Sequence, residues 1–232
     1  MSEIDRPSIR ISLIAIFAAL DTVLTLIPGP WRSWVIIVEA SVGIILGPYI
    51  GGLAILIGSL LGHFYREGAG LMLLFGLGEP IGAMSAGFLY RKRYKETIIL
   101  YTVFLVGYLL TPISWQLPLW ALWDTILAYA LIFVLIAFTK YIKIENLRFK
   151  ELITLGLIGF IASGIDVMFR IFVLITLHVY VIWGLTVPVL QSLWISGALL
   201  TPIEDLISTI ATITIAPSIL YAMKSIGILQ ET

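Results

Sequence analysis

Apolar runs follow one another along the whole chain, and each break between them falls at proline, glycine or a knot of charge. The first run, residues 9–27, is long enough to cross a bilayer and stops at Pro28-Gly29-Pro30. A short second run, 35–46, breaks at Gly47-Pro48, and a third covers 49–64. The polar loop 65–70 leads to a fourth, 71–90, which ends in Arg91-Lys92-Arg93-Tyr94-Lys95. A fifth covers 97–110 and a sixth 119–139, with Pro112, Trp115, Gln116 and Pro118 between them. The polar segment 140–151 precedes a seventh run, 152–181. The remainder, 183–223, is too long for one straight helix and carries Pro188, Pro202 and Pro217. It reads as a short or re-entrant piece over 187–200 and a final span over 203–223. The pattern predicts an all-α polytopic membrane bundle of six to eight spans, a single domain over residues 1–232.

Charge gives this count an orientation. Arg6 and Arg10 place the N-terminus in the cytoplasm by the positive-inside rule. If 35–64 makes two crossings and 183–223 one, then residues 91–95, the basic residues of 140–151 and Lys224 all fall on that same side. One long tilted helix over 34–63 would instead carry 91–95 outside. The first ten residues are charged, and the full span after them lacks a small-residue cleavage site, so it reads as a retained first helix. The stretch 39–63 holds Gly43, Gly47, Gly51, Gly52, Gly58 and Gly62, more small residues than a lipid-facing helix needs; it reads as backbone-to-backbone packing.

Composition narrows the function classes. The chain is 60% hydrophobic and 12% charged, against about 25% charged in soluble domains. Zero net charge offers no general case for nucleic acid, and the absence of cysteine excludes disulfides, thiolate metal sites and cysteine nucleophiles. No phosphate-binding loop is present, so energy from ATP requires a partner chain. Neither H-E-x-x-H nor G-x-S-x-G occurs, and an enzyme is not expected.

The first 95 residues resemble the substrate-binding S components of energy-coupling factor (ECF) vitamin transporters. Ala15 and Ala19 in the first span look like that family's A-x-x-x-A element. Val38-Glu39-Ala40 through Leu46-Gly47-Pro48, followed by Gly51, is similar to its short helix ending in L-G-P-x-x-G. Glu79-Pro80-Ile81-Gly82 through Tyr90-Arg91 looks like its small-residue helix ending in an aromatic and a basic residue. Residues 96–232 match no motif of the family, and its members usually have six spans. The resemblance implies a subunit that binds a vitamin-like molecule from outside, with no cofactor. It implies docking through the first helix onto a transmembrane coupling subunit driven by ATPases. Ala15 and Ala19 share one helix face and would admit a partner helix, or another helix of the same chain.

Ionisable groups at membrane depth are costly and suggest function. Glu39 and His63 cap the two ends of the glycine-rich stretch on the outer side. His63 and Glu67 stand at i, i+4, a spacing that suits ligand contact, a polar loop or, less well, a metal. Glu79 lies within the fourth span, and Asp166 and Arg170 are i, i+4 neighbours set to pair. Arg170 is the best candidate for a carboxylate or phosphate of a substrate. Asp124, Glu204 and Asp205 fall where helix N-termini would accept them, and Asp21 sits deep in the first span. The tryptophans, with Arg32 between Trp31 and Trp34, read as an interface belt; Trp115 and Gln116 are candidates to stack on and orient a planar ligand. A solute-binding subunit is the leading expectation, with a self-contained transporter or channel and a structural scaffold as alternatives.

Overall fold

A computed structural model describes residues 7–68, 70–142 and 146–228. Ten α-helices account for most of these residues: α1 (Pro7–Leu26), α2 (Glu39–Leu46), α3 (Pro48–Glu67), α4 (Met72–Gly76), α5 (Gly78–Tyr90), α6 (Tyr94–Leu110), α7 (Trp123–Tyr141), α8 (Leu147–Ile171), α9 (Val179–Ile182) and α10 (Val187–Ser225). No strand occurs among the described residues. Among the described residues, six helical segments are long and apolar enough to cross a membrane: α1, α3, α4 with α5, α7 with the turn before it, α8 with the turn after it, and α10. The protein is an all-α, multi-pass membrane bundle.

The breaks have local causes. After α1 the chain folds back through a bridge between Pro28 and Ser33, closed by the Gly29 amide on the Arg32 carbonyl at 2.7 Å. Between α2 and α3, Gly47 takes φ +91°, which excludes most side chains, and Pro48 opens the next helix with its ready-set φ. The chain reverses there, so the single long helix over 34–63 does not form. Pro80 has no amide to offer the Gly76 carbonyl; α4 ends at that residue, and the Ser59 hydroxyl donates to it instead at 2.7 Å. Asn146 caps α8 by accepting the Phe149 amide at 3.1 Å.

Helix α2 is the centre of the packing: all eight of its residues are buried. Its Gly43 lies so close to α5 that a Cβ would run into the Ala83 backbone. Such contact suits lipid, where helices gain from van der Waals approach rather than from hydrophobic burial. On the other side of α3, Gly58 lies against Ala18 and Asp21 of α1.

The C-terminal stretch departs from expectation. There is no re-entrant piece over 187–200; α10 is one helix of 39 residues, about 58 Å long at 1.5 Å per residue. Pro188 sits in its first turn, where no amide is missed. Pro202 leaves the Ala198 carbonyl without its helical donor, and the Trp123 indole supplies one at 3.1 Å. The helix therefore runs through a residue that ordinarily stops one.

The two ends of the bundle differ in chemistry. Arg91, Lys92, Arg148, Lys150 and Lys224 surround one end of the helices. The opposite end holds Arg32, His63, Arg66 and Arg170 among buried carboxyl groups.

Candidate functional site

A cavity of about 220 Å³ lies between the α1–α2 loop, α3, α4, α7, α8 and α10. Its polar lining is Arg32, Ser33, His63, Arg66, Asp124, Thr125, Arg170 and Thr201, and Trp31, Phe75 and Trp194 supply aromatic surface. The volume equals roughly seven waters' share of the liquid and is below the usual range for drug-sized ligands. It fits a compact solute.

Arg32 is the anchor of the wall. Its Nε donates to Glu204 at 2.7 Å, Nη1 to Asp166 at 2.9 Å and the Ser163 carbonyl at 3.2 Å, and Nη2 to Ser163 Oγ at 2.8 Å and Asp205 at 3.4 Å. All five guanidinium N–H groups are thus engaged. Glu204 also accepts the backbone amides of Trp31 and Arg32 at 2.7 and 2.8 Å, which seats the loop on α10. Burial works to lower the Arg32 pKa; Asp166, Glu204 and Asp205 more than reverse this and raise it, so the group stays charged.

Arg170 is arranged differently. Its Nε donates to Asp166 at 2.7 Å and its Nη2 to Glu79 at 3.0 Å. Nη1 is engaged by neither carboxylate, and the residue lines the cavity. Glu79 is the hub behind it: Oε1 accepts from Ser33 at 3.0 Å and from Arg170, and stands 3.3 Å from His63 Nε2. Arg66 Nη2 lies 3.4 Å from His63 Nδ1. A guanidinium only donates, so this geometry assigns Nδ1 as acceptor and puts the imidazole proton on Nε2, towards Glu79. Arg66 also binds the Thr25 carbonyl at 2.7 Å and pairs with Glu67. Across the cavity, Asp124 accepts the Thr201 hydroxyl.

The sequence-selected residues separate into layers. His63 and Arg170 line the cavity. Glu79 and Asp166 stand directly behind, holding Arg170 and Arg32 in place. Glu67 is exposed at the end of α3, on the same helix face as His63 and 3.6 Å from it. Glu39 is not at an exposed interface; it is 1% exposed, faces Gly82 of α5, and neither carboxyl oxygen has a hydrogen-bond partner among the described residues. Asp21, against Gly58, is in the same condition. Trp115 and Gln116 lie elsewhere: Trp115 is 74% exposed with its indole on the Leu109 carbonyl, and the Gln116 carbonyl accepts from Gln191. Ala15 and Ala19 are exposed on α1, so that face is open among the described residues.

Three placements correct the reading of the sequence. Arg32 is not part of an interface belt but is buried, and Glu204 and Asp205 are not at a helix N-terminus but inside α10, ion-paired to Arg32. Their signal was charge balance. Asp166, Glu204 and Asp205 demanded a cation on their side of the bundle, and few were on offer. Among the described residues no group of three or more histidine or acidic side chains is set to hold a metal ion. The buried carboxyl groups outnumber the guanidinium groups of Arg32 and Arg170, so the layer around the cavity has capacity for a further positive charge. Comparison with protein-family models, with curated proteins and with solved structures yields no match to this chain.

Proposed function

We propose that the chain is the solute-binding subunit of an uptake system, and that the 220 Å³ cavity takes a compact, vitamin-like molecule bearing a carboxylate or phosphate. One observation carries this reading: Arg170, fixed by two carboxylates, keeps Nη1 for a cavity that Arg66 and His63 also line. Trp31, Phe75 and Trp194 offer surface for the apolar part of such a molecule. The positive-inside rule puts the basic end of the bundle in the cytoplasm of a cell membrane, with the N-terminus there and the cavity towards the outside. The exposed Ala15 and Ala19 face of α1 supports docking to a transmembrane coupling subunit with its ATPases, as the resemblance to ECF S components implies.

The test is a thermal-shift titration of the detergent-purified protein with anionic water-soluble vitamins and their phosphate esters. A ligand at a hundred times its Kd stabilises by about 2.7 kcal/mol, which raises Tm by roughly 5–11 °C in a chain of this size. Arg170→Gln removes most of that shift. A panel without any anionic binder, or an Arg170→Gln protein that binds as well as wild type, overturns the proposal. Ala15→Leu with Ala19→Leu should abolish copurification of a coupling subunit and leave ligand binding intact.

The unpartnered carboxyls of Glu39 and Asp21 favour a second reading, a self-contained transporter coupled to protons or sodium. Gradient-driven uptake into liposomes without ATP would decide for it.

A further inference from the structure

A second and larger cavity, about 990 Å³, lies at the other end of α10 from the candidate site. Arg91, Lys92, Arg148, Lys150 and Lys224 line it, with Glu151 as the single acidic lining residue among the described residues. Five basic side chains against one acid leave a formal lining charge of +4. Below this charged rim the cavity is apolar, with Ile44 and Ile45 from the end of α2 and Leu89 from α5, all buried. Tyr90, Tyr94 and Tyr221 also line it, a residue type enriched at membrane interfaces.

Two of the five basic side chains have a fixed seat, and Lys92, Arg148 and Lys224 are exposed at the rim. Gly47 leaves room for the Arg91 guanidinium, whose Cζ would stand 2.6 Å from any Cβ there, so Arg91 rests on the α2–α3 turn. Lys150 Nζ donates to the Ile142 carbonyl at 3.0 Å. Lys92 is the telling case. It follows α5 with φ +59°, inside a closing motif in which the Arg93 amide bonds the Phe88 carbonyl at 2.8 Å and the Lys92 amide bonds Leu89 at 3.0 Å. Glycine is the usual residue there, since a side chain in the left-handed region costs energy. A basic side chain thus stands where glycine is the unstrained choice.

We propose that this cavity binds a phosphate-bearing anion, either the headgroup of an anionic phospholipid or a soluble phosphate compound. Five basic side chains around one space exceed what a lone carboxylate needs, and match a phosphate with its three or four acceptor oxygens. The buried apolar lining and the tyrosines suit a headgroup whose glycerol backbone and first methylenes enter with it.

Native mass spectrometry of the full chain in detergent, with added phosphatidylglycerol or phosphatidylcholine, tests the lipid source. Inorganic pyrophosphate followed by thermal shift tests the soluble one. Each basic group near an anionic headgroup is worth roughly five-fold in affinity. Lys92→Gly should therefore weaken the preferred probe about five-fold, while Tm holds or rises because the strained backbone is relieved. Arg148→Gln with Lys150→Gln should weaken it about twenty-five-fold. Phosphatidylglycerol bound well above phosphatidylcholine, and lost in these variants, identifies a lipid; pyrophosphate stabilisation lost in the same variants identifies a soluble phosphate. The proposal falls if wild type prefers neither probe, or if both variants bind like wild type. A Lys92→Gly protein with lowered Tm likewise removes the argument from strain.

Discussion

Replacing Arg32 by methionine tests the frame of the candidate site directly. The substitution keeps the volume of the stem and deletes the charge. Asp166 loses a 2.9 Å partner, Glu204 a 2.7 Å partner and Asp205 a 3.4 Å partner, all in buried surroundings. Each carboxylate retains something: Asp166 keeps Arg170, Glu204 keeps two backbone amides and Asp205 keeps Ser163. Removing one side of a buried ion pair costs about 3–5 kcal/mol, which is roughly 6–20 °C in Tm for a chain of this size. Scanning fluorimetry of the detergent-purified variant reads this, with size-exclusion profiles to confirm that it folds. Adding Glu204→Gln to Arg32→Met should recover about 1–3 kcal/mol relative to the sum of the single effects, because the two residues share one interaction. Arg32→Lys keeps the charge with three donors in place of five and should fall between wild type and Arg32→Met. A Tm unchanged in Arg32→Met, or strict additivity with Glu204→Gln, refutes the view that these charges hold the loop on α8 and α10.

Three further outcomes are expected. Gly43→Ala should lower Tm by an overpacking cost of about 1–3 kcal/mol or more, since the Ala83 backbone blocks the new methyl, whereas Gly197→Ala, with open space around it, should be neutral or slightly stabilising. Trp123→Phe should cost about 1–3 kcal/mol by stranding the Ala198 carbonyl; in a Pro202→Ala background, where an amide returns to that carbonyl, thermal unfolding should show almost no such loss. Trp115→Ala and Gln116→Ala should leave the affinity of any cavity ligand unchanged by calorimetry, because both residues lie outside the lining.

Much of the fold was legible because membrane helices announce themselves by local composition. The reversal at Gly47-Pro48 could be read from two residues whose backbone preferences leave little choice. The fate of Pro202 could not, because the donor that keeps α10 continuous comes from Trp123, far away in the chain. The site divides the same way. His63, Glu79, Asp166 and Arg170 stand out because they sit within apolar runs, where any charge is conspicuous. Arg32 lies in a short loop beside tryptophans, and its local surroundings are those of an interface residue. Only the docking of that loop on α8 and α10 turns it inwards, and that contact is set by residues from opposite ends of the sequence.

The full burial of α2 bears on how the chain enters the bilayer. A helix of eight residues rises about 12 Å, less than half of the roughly 30 Å hydrocarbon layer, and it carries Glu39 without a hydrogen-bond partner among the described residues. It has no stable residence among lipid chains alone. Its surroundings, Ala83 and Gly82 of α5 and Ala162 of α8, emerge from the ribosome later. Seating of α2 therefore waits for α5 and α8, so that later helices close around an earlier one.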